Sequence, residues 1–249
     1  MTEGPKLVKA SDLTNDELLE LYAPHPETSG PWVRANFVVS VDGAIATNGS
    51  SGGLTSPLDQ YVLKLLRDLS DVVLVGANTI RAEDYIGIRT TDERRQWRIA
   101  RGRPPVPPIA VVSGSANIDP RSRLLTNTEV PPIILTTTTA PAEAKADLAA
   151  AGAEVIELGS GAIEAAAIIH TLAERGLREI VCEGGALLTG QLVADHYLNE
   201  LCITTAPTVL GGTSARMTYS PQGTATAMTC QHIVFDADGA QLARWVRST

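Results

Sequence analysis

The sequence has few aromatic residues, few cysteines and no excess of positive charge, and each shortage narrows the kind of protein that it can encode. Phenylalanine, tryptophan and tyrosine together make up 4% of the 249 residues, whereas apolar residues reach 44%. Valine, isoleucine, leucine and alanine must therefore fill the core, which is typical of the buried strands of an α/β sheet. A formal net charge of −8 argues against nucleic acid or an anionic membrane as the main partner.

Several sequence signatures are also missing. The three cysteines show no CxxC or metal-type spacing, which indicates a reducing compartment, and the histidines are too scattered to predict a metal site. The first residues lack the basic-then-apolar pattern of a secretory signal, and no apolar run approaches the length of a membrane span. We therefore expect a cytoplasmic protein that binds no metal and does not enter a membrane.

The rest of the sequence alternates between short apolar runs and helical segments. Thr14 followed by Glu17 is a capping-box signal for a short helix over 15–21, within an N-terminal extension of residues 1–30. The alternation predicts one three-layer αβα domain over 1–249, with a mainly parallel central sheet and an antiparallel C-terminal hairpin. The predicted strands are 32–41, 71–75, 109–112, 133–136, 154–157, 179–182, 200–206 and two within 230–246 that join at Asp238-Gly239; the predicted longer helices are 57–69, 141–151, 162–175 and 186–194.

The predicted strand 32–41 carries polar groups on one face. Its odd-numbered residues from 33 to 41 are apolar, whereas Asn36, Ser40 and Asp42 share the other face. Such a strand is either the wall of a functional site or an edge strand with one hydrated face. Periodicity alone leaves both interpretations open.

Residues 92–108 are rich in charge and then in proline, as in a domain linker. The strand–helix alternation resumes afterwards, so we reject a linker and expect a solvated loop instead of a nucleic-acid patch. The arginines concerned are Arg94, Arg95, Arg98, Arg101 and Arg103.

Three glycine turns follow predicted strands, where ligands bind in α/β sheets. They contain Gly76, Gly184-Gly185 and Gly211-Gly212, and the first leads to Thr79. Glycine lets the backbone approach a ligand closely, and the N–H groups of a helix start attract anions. An ordinary strand-to-helix turn also needs glycine, and none of the three is a GxGxxG dinucleotide fingerprint.

Taken in order, these segments resemble the reductase domain of riboflavin biosynthesis, which has a dihydrofolate-reductase-like fold. The matching segments are 35–47 (ANFVVSVDGAIAT), Gly53-Leu54-Thr55, Leu66-Arg67, Val75-Gly76-x-x-Thr79, Glu83-Asp84 with Arg89, Glu183-Gly184-Gly185, and Ala206-Pro207 through Gly211-Gly212. The resemblance implies an NADPH-dependent reduction of the ribose of 5-amino-6-(5-phosphoribosylamino)uracil to its ribityl form. It also implies a homodimer.

The resemblance assigns roles to particular residues. Asp42 and Glu183 are the expected catalytic residues, which either fix the pyrimidine and sugar hydroxyls or relay the proton that accompanies the hydride. Arg89 is the expected partner of the substrate phosphate. The expected substrate-binding residues are Asn36, Ser40, Thr55, Asp84 and Arg89; the expected NADPH-binding residues are Thr47, Gly76, Thr79, Glu83, Ser113, Gly184, Gly185, Ala186 and Leu187.

Departures from the family pattern leave alternatives open. Where the family strand carries a lysine six residues before the aspartate, this chain has Asn36. The change motivates a second hypothesis, an NADPH-dependent reductase of another heterocycle of dihydrofolate or pteridine type. A third is a non-catalytic NADP-binding module. The zinc deaminase motifs HxE and PCxxC are absent, so we expect a stand-alone reductase, with deamination carried out by another protein.

Overall fold

A computed structural model describes residues 4–23, 30–47, 49–221 and 223–248 of the chain. The strands are β1 (Lys6–Lys9), β2 (Trp32–Ser40), β3 (Val72–Gly76), β4 (Ile109–Val112), β5 (Ile133–Thr136), β6 (Glu154–Glu157), β7 (Glu179–Cys182), β8 (Leu198–Ala206), β9 (Met228–Phe235) and β10 (Gln241–Arg247). The α-helices are α1 (Asn15–Tyr22), α2 (Pro57–Leu69), α3 (Ala77–Ala82), α4 (Asp92–Ile99), α5 (Arg123–Thr126), α6 (Ala142–Ala150), α7 (Ala165–Glu174) and α8 (Ala186–Ala194). None of the helices within these ranges is long and apolar enough to cross a membrane.

The ten strands form one sheet in the order β1-β9-β10-β8-β2-β7-β3-β4-β5-β6. Strand β10 runs antiparallel to both of its neighbours, β8 and β9, and the remaining paired strands run parallel. The turn between β9 and β10 contains Gly239 with φ +93, a conformation that favours glycine. The predicted mainly parallel sheet and its antiparallel C-terminal hairpin are therefore confirmed.

Helices cover both faces of this sheet. Val73 and Val75 of β3 pack in a cluster that includes residues of α1, α2 and α6, whereas Val72 and Leu74 pack in a second cluster with α7 and α8. A strand that is buried on both faces has no hydrated side, which explains its unbroken apolar sequence. The three-layer αβα arrangement is the one that the sequence predicts.

Side-chain caps fix the starts of two helices. Thr14 and Glu17 form the predicted capping box of α1, with Glu17 accepting from the Thr14 N–H at 2.8 Å. Ser56 caps α2 and accepts from the Asp59 N–H at 3.2 Å, while Pro57 occupies the first helical position. These short-range hydrogen bonds explain why both boundaries are readable from sequence.

Strand β2 lies in the middle of the sheet, between β7 and β8. The edge-strand interpretation is therefore wrong. Val33, Ala35, Phe37 and Val39 pack in the core cluster beneath α7 and α8, as their spacing predicts. Val41 differs from them because it lies beyond the end of β2 and is 62% exposed.

The segment predicted as a solvated loop contains α4, so that prediction is wrong. Thr91 caps this helix, and Arg98 is fully buried against the end of α2. The Arg98 guanidinium donates to the carbonyls of Asp68 and Ser70 at 2.6 and 2.7 Å. Burying the guanidinium is tolerated because backbone oxygens accept from Nε and Nη1, although Nη2 has no hydrogen-bond partner. Arg94 and Arg95 form ion pairs with Asp68 and Glu129.

The N-terminal extension joins the sheet through β1, which pairs with β9 and was not predicted. Under this part of the sheet, the Glu200 carboxylate is fully buried between two guanidinium groups. Arg34 Nε lies 2.7 Å from it and Arg244 Nε lies 2.9 Å from it. The same guanidiniums donate to the carbonyls of Tyr22 and Leu21 at 2.9 and 2.6 Å, so the ion pairs also hold the end of α1.

His232 is buried beside this cluster, and its ring meets that of Tyr22 edge-on at 4.9 Å. Burial, together with the charges of Arg244, Lys6 and Arg34 and against the opposing effect of Glu200, lowers the pKa of His232 to about 4. The unfolded chain binds this proton near pH 6.5, so stability falls as pH falls below that value. Between pH 7.5 and 5 we expect a loss of about 2 kcal/mol from this residue.

Urea denaturation of His232→Leu and of the wild type at both pH values tests this expectation. The difference in unfolding free energy between pH 7.5 and 5 should be smaller in the variant by that amount. An identical pH dependence in the two proteins would show that His232 protonates equally in the folded and unfolded states.

Candidate active site

A cavity of about 620 Å³ opens toward the carboxyl ends of β2, β3 and β7. Helices α2 and α3 and parts of the segment 45–55 form its other walls. Ligands bind at this end of the strands in α/β sheets, so the location agrees with the predicted function. The predicted site residues that line the cavity are Asn36, Thr55, Thr79, Glu83, Glu183, Gly184, Gly185 and Ala186.

Glu183 follows β7, and its buried carboxylate is held by two side chains of the cavity wall. Arg67, in the last turn of α2, donates to it from Nε and Nη2 at 2.6 and 2.7 Å. Tyr85 donates from Oη at 2.8 Å. Burial opposes the charge of Arg67, but Glu183 outweighs that effect and raises the pKa of the guanidinium. We call Arg67, Tyr85 and Glu183 the Glu183 cluster.

Three glycines bring the ends of β3 and β7 into close contact. The Gly76 N–H donates to the Gly184 carbonyl at 2.9 Å, and a Cβ on Gly76 would lie 3.3 Å from the Gly185 nitrogen. A Cβ on Gly185 would lie 3.1 Å from Thr79 Oγ1. Helix α8 begins at Ala186, where first-turn N–H groups have no intrahelical acceptor. This glycine cradle therefore offers an anion close access to backbone donors.

Hydrogen bonds hold the segment 45–55 beside the cavity. Glu83 accepts from Ser50 Oγ and the Ser51 N–H at 2.8 and 2.7 Å. Thr55 donates to Asp59 at 2.5 Å. Thr47 lies close to the backbone at Gly53, because a Cβ on Gly53 would lie 3.2 Å from the Thr47 side chain. The carboxylate of Glu83, expected to contact the cofactor, here fixes the cavity wall.

Ser40 and Asp42 lie outside this cavity lining. Asp42 accepts from Ser40 Oγ at 2.5 Å, and from the N–H groups of Leu210 and Gly211 at 3.1 and 2.7 Å. These hydrogen bonds, above all that from Ser40, lower the pKa of Asp42 to about 2. Asp42 is thus an anion at neutral pH that ties the end of β2 to the segment after β8. Its catalytic role stays a prediction.

Asp84, Ser113 and Leu187 are also not among the residues that line this cavity, and neither are Thr47 and Gly76, which are described above. Asp84 is exposed and its carboxylate accepts from Arg123 at 2.7 Å. Ser113 is buried after the end of β4, whereas Leu187 is 61% exposed in the first turn of α8. Their roles in binding stay predictions.

A second cavity of about 320 Å³ adjoins the first, because Lys64 and Arg67 line both. Arg89, the expected phosphate partner, lies here with Arg94 and Asp68. The lining therefore carries four cationic side chains and one carboxylate, on a chain whose net charge is −8. Arg94 pairs with Asp68, and Arg89 donates to the Asn127 carbonyl at 3.2 Å. Such a concentration of positive charge suits a phosphate group.

Several polar residues of the two cavities were not predicted from the sequence. Arg67 is part of a matching segment, but nothing in the sequence shows that it pairs with Glu183, 116 residues away. Tyr85 follows the Glu83-Asp84 motif directly, and an aromatic residue there in an aromatic-poor chain was a usable signal. Within the described ranges, no group of three or more His, Cys, Asp or Glu side chains is arranged to hold a metal ion.

Comparisons with known proteins agree with this geometry. The family model of the RibD C-terminal domain matches residues 31–242. A 2,5-diamino-6-ribosylamino-4(3H)-pyrimidinone 5′-phosphate reductase of Methanothermobacter thermautotrophicus is 31% identical over 78% of this chain and 85% of its own length. The protein of the same description from Aquifex aeolicus is 29% identical over 73% of this chain and 79% of its own length.

A solved structure gives the same picture of the fold. The pyrimidine reductase-like protein of Corynebacterium diphtheriae superimposes with a TM-score of 0.86 at 22% identity, covering 95% of this chain and all of that one. The fold predicted from the family resemblance is thereby confirmed. The family match covers most of the chain, and six of the seven matching segments contribute residues to the two adjoining cavities. The chain therefore belongs to the RibD C-terminal domain family of riboflavin-biosynthesis reductases.

Proposed function

We propose that this protein uses NADPH to reduce the ribosyl group of a ribosylaminopyrimidine 5′-phosphate of riboflavin biosynthesis to a ribityl chain. The observation that carries the proposal is the meeting of the two cavities at Lys64 and Arg67, beside the Glu183 cluster. The substrate is 5-amino-6-(5-phosphoribosylamino)uracil or the 2,5-diaminopyrimidinone named for the relatives. These two compounds differ in one substituent of the pyrimidine ring.

The glycine cradle supports NADPH as the cofactor. Glycine at positions 76 and 185 keeps side chains out of the cradle, and α8 presents the free N–H groups of a helix start beside it, where they can bind phosphate oxygens. When bound there, NADPH supplies the hydride, and the chain orients the sugar carbon and excludes water. Gly184, Ala186 and Thr79 complete the proposed cradle, with further predicted contacts at Thr47, Glu83, Ser113 and Leu187.

The cavity lining outside the glycine cradle supports a substrate in which a phosphorylated sugar is joined to a polar ring. The substrate phosphate would occupy the cationic second cavity, and the ribose would then reach the Glu183 cluster in the first. Asn36 and Thr55 offer amide and hydroxyl groups to the pyrimidine. The Glu183 carboxylate can only accept hydrogen bonds, so it would orient sugar hydroxyl groups relative to the cofactor.

Arg89→Gln tests the phosphate site. We expect KM for the phosphorylated pyrimidine to rise about 10- to 100-fold, because a charge-assisted hydrogen bond to phosphate is lost. Turnover of the dephosphorylated substrate should not change. Arg121→Gln is the matched control, since Arg121 is 91% exposed and bridges to Asp119. Equal losses with phosphorylated and dephosphorylated substrates would contradict a phosphate role.

NADPH consumption with three substrates tests the proposed function itself. We expect turnover of one or both ribosylaminopyrimidine phosphates, and none of dihydrofolate. Turnover of dihydrofolate alone would overturn the proposal in favour of a reductase of another heterocycle. Saturable NADPH binding without turnover of any of the three would favour a non-catalytic module.

We further propose a cytoplasmic homodimer, which follows from the family resemblance and the reduced cysteines. Cys182, Cys202 and Cys230 are free thiols in the structure. Sedimentation at micromolar concentration is the test of the dimer. A single species with the mass of one chain, 26.3 kDa, would contradict it.

A further inference from the structure

Tyr85 lies in the wall of the first cavity, and the proposed reaction assigns its hydroxyl group no contact with the substrate. It lines the cavity together with Glu183 and Arg67, and Arg67 also lines the cationic cavity. A substrate whose phosphate lies in the second cavity must pass Arg67 to reach the glycine cradle. Tyr85 therefore lies where the sugar of that substrate would lie.

The end of helix α3 sets the position of Tyr85. Asp84 has φ +46, a left-handed conformation that ends the helix, and the Tyr85 N–H then donates back to the Ile80 carbonyl at 3.2 Å. The Asp84 carboxylate is fixed by Arg123 at 2.7 Å. The turn directs Tyr85 toward Glu183, which it reaches with an oxygen–oxygen distance of 2.8 Å.

The hydrogen bonds around Tyr85 determine what its hydroxyl offers a ligand. Its proton is donated to Glu183, whose carboxylate also accepts two bonds from Arg67. Burial raises the pKa of Tyr85 and Glu183 raises it further, so the hydroxyl stays neutral. Arg67 also interacts with this oxygen, but a phenolic oxygen carries more than one lone pair, so Tyr85 still offers the cavity an acceptor.

We propose that Tyr85 recognises the ribose of the substrate by accepting a hydrogen bond from one of its hydroxyl groups. This inference rests on the proposed function, which supplies the sugar phosphate. Tyr85 then acts with Glu183 as a pair of acceptors beside a fixed guanidinium. These two acceptors favour a group with several hydroxyls beside Arg67. They hold that group between the phosphate site and the glycine cradle.

Calorimetric titration of the whole protein with ribose 5-phosphate and with inorganic phosphate is the test. Tyr85→Phe keeps the ring, which lies 5.9 Å from the Arg67 guanidinium carbon, and removes only the hydroxyl. We expect Kd for ribose 5-phosphate to rise about 10- to 100-fold, because an acceptor coupled to a charged group is lost. Kd for inorganic phosphate should not change. Tyr197→Phe, at a tyrosine that lines neither cavity, is the matched control.

Each outcome bears on the proposal. Equal binding of ribose 5-phosphate by Tyr85→Phe and wild type overturns it, as does an absence of saturable binding by the wild type. A parallel loss of phosphate and ribose 5-phosphate affinity shows a general disturbance and also overturns it. Tyr85-dependent binding of ribose 5-phosphate, without turnover of either pyrimidine, would overturn the proposed function and leave sugar recognition standing.

Discussion

Replacement of Glu183 by glutamine is expected to lower kcat/KM for the pyrimidine substrate by about 100-fold, because losing a group that orients the sugar misplaces the reacting carbon. The substitution keeps the shape of the side chain but removes the charge that binds Arg67 at 2.6 Å and that accepts a hydrogen bond from Tyr85. Steady-state kinetics with saturating NADPH measure the effect. Affinity for NADPH should change little, because the cradle is built from backbone groups.

A loss of activity has a second explanation, since Glu183→Gln leaves a buried guanidinium without its partner. An unpaired buried charge is strongly destabilising. The double variant Arg67→Met/Glu183→Gln removes both charges and separates the two explanations. Because Arg67 lines both cavities, the double variant is also compared with Arg67→Met alone. If Glu183 contacts the substrate, the double variant is more stable than Glu183→Gln but remains less active than Arg67→Met. Recovered activity would mean that Glu183 serves only to neutralise Arg67.

The largest loss of stability is expected from Glu200→Gln. Burial opposes ionisation of Glu200, but Arg34 and Arg244 outweigh that effect and lower the pKa of the carboxyl. Removing its charge leaves two buried guanidiniums facing one another, which costs about 3–5 kcal/mol by analogy with other buried ion pairs. For a chain of this size that corresponds to a fall in Tm of about 6–20 °C.

An exposed ion pair provides the control for this prediction. Glu129 accepts from Arg95 at 2.5 and 2.6 Å, but the two side chains are 39% and 25% exposed. Glu129→Gln should therefore change the free energy of unfolding by less than about 1 kcal/mol. Urea denaturation of both variants gives the comparison. Similar small losses in the two would show that burial adds nothing to the Glu200 pairs.

The sequence predicts elements whose signals are local. Strand β3 is an unbroken apolar run, and α2 begins at a serine cap followed by proline, so each is specified by its own residues. Strand β1 escapes notice because four residues, two of them lysine, form a strand only by pairing with β9. Its stability comes from a partner more than 220 residues away.

Helix α4 shows a different limit of periodicity. A hydrophobic stripe indicates an amphipathic helix, but α4 buries a guanidinium where a stripe would have leucine. Arg98 replaces apolar contacts with hydrogen bonds to the carbonyls that end α2. No count of apolar residues reveals that exchange, and the arginines were consequently assigned to a solvated loop.

Motif positions identify the site better than they identify what each carboxylate does there. Glu183, Thr79 and Glu83 line the cavity as expected. Asp42 and Asp84 belong to equally recognisable motifs, but their carboxylates accept from Leu210 and Gly211 and from Arg123. The direction of a side chain depends on loops elsewhere in the chain, so a motif places the residue without giving its contacts.

Transfer of deuterium from labelled NADPH shows directly which group of the substrate is reduced. We propose that this group is the sugar of a ribosylaminopyrimidine phosphate. NADPH carrying deuterium at both C4 positions of the nicotinamide would be turned over with the pyrimidine substrate, and the product examined by mass spectrometry and proton NMR. We expect one deuterium per product, bound to C1′ of the ribityl chain. Deuterium in the pyrimidine ring, or a product without deuterium, would contradict it.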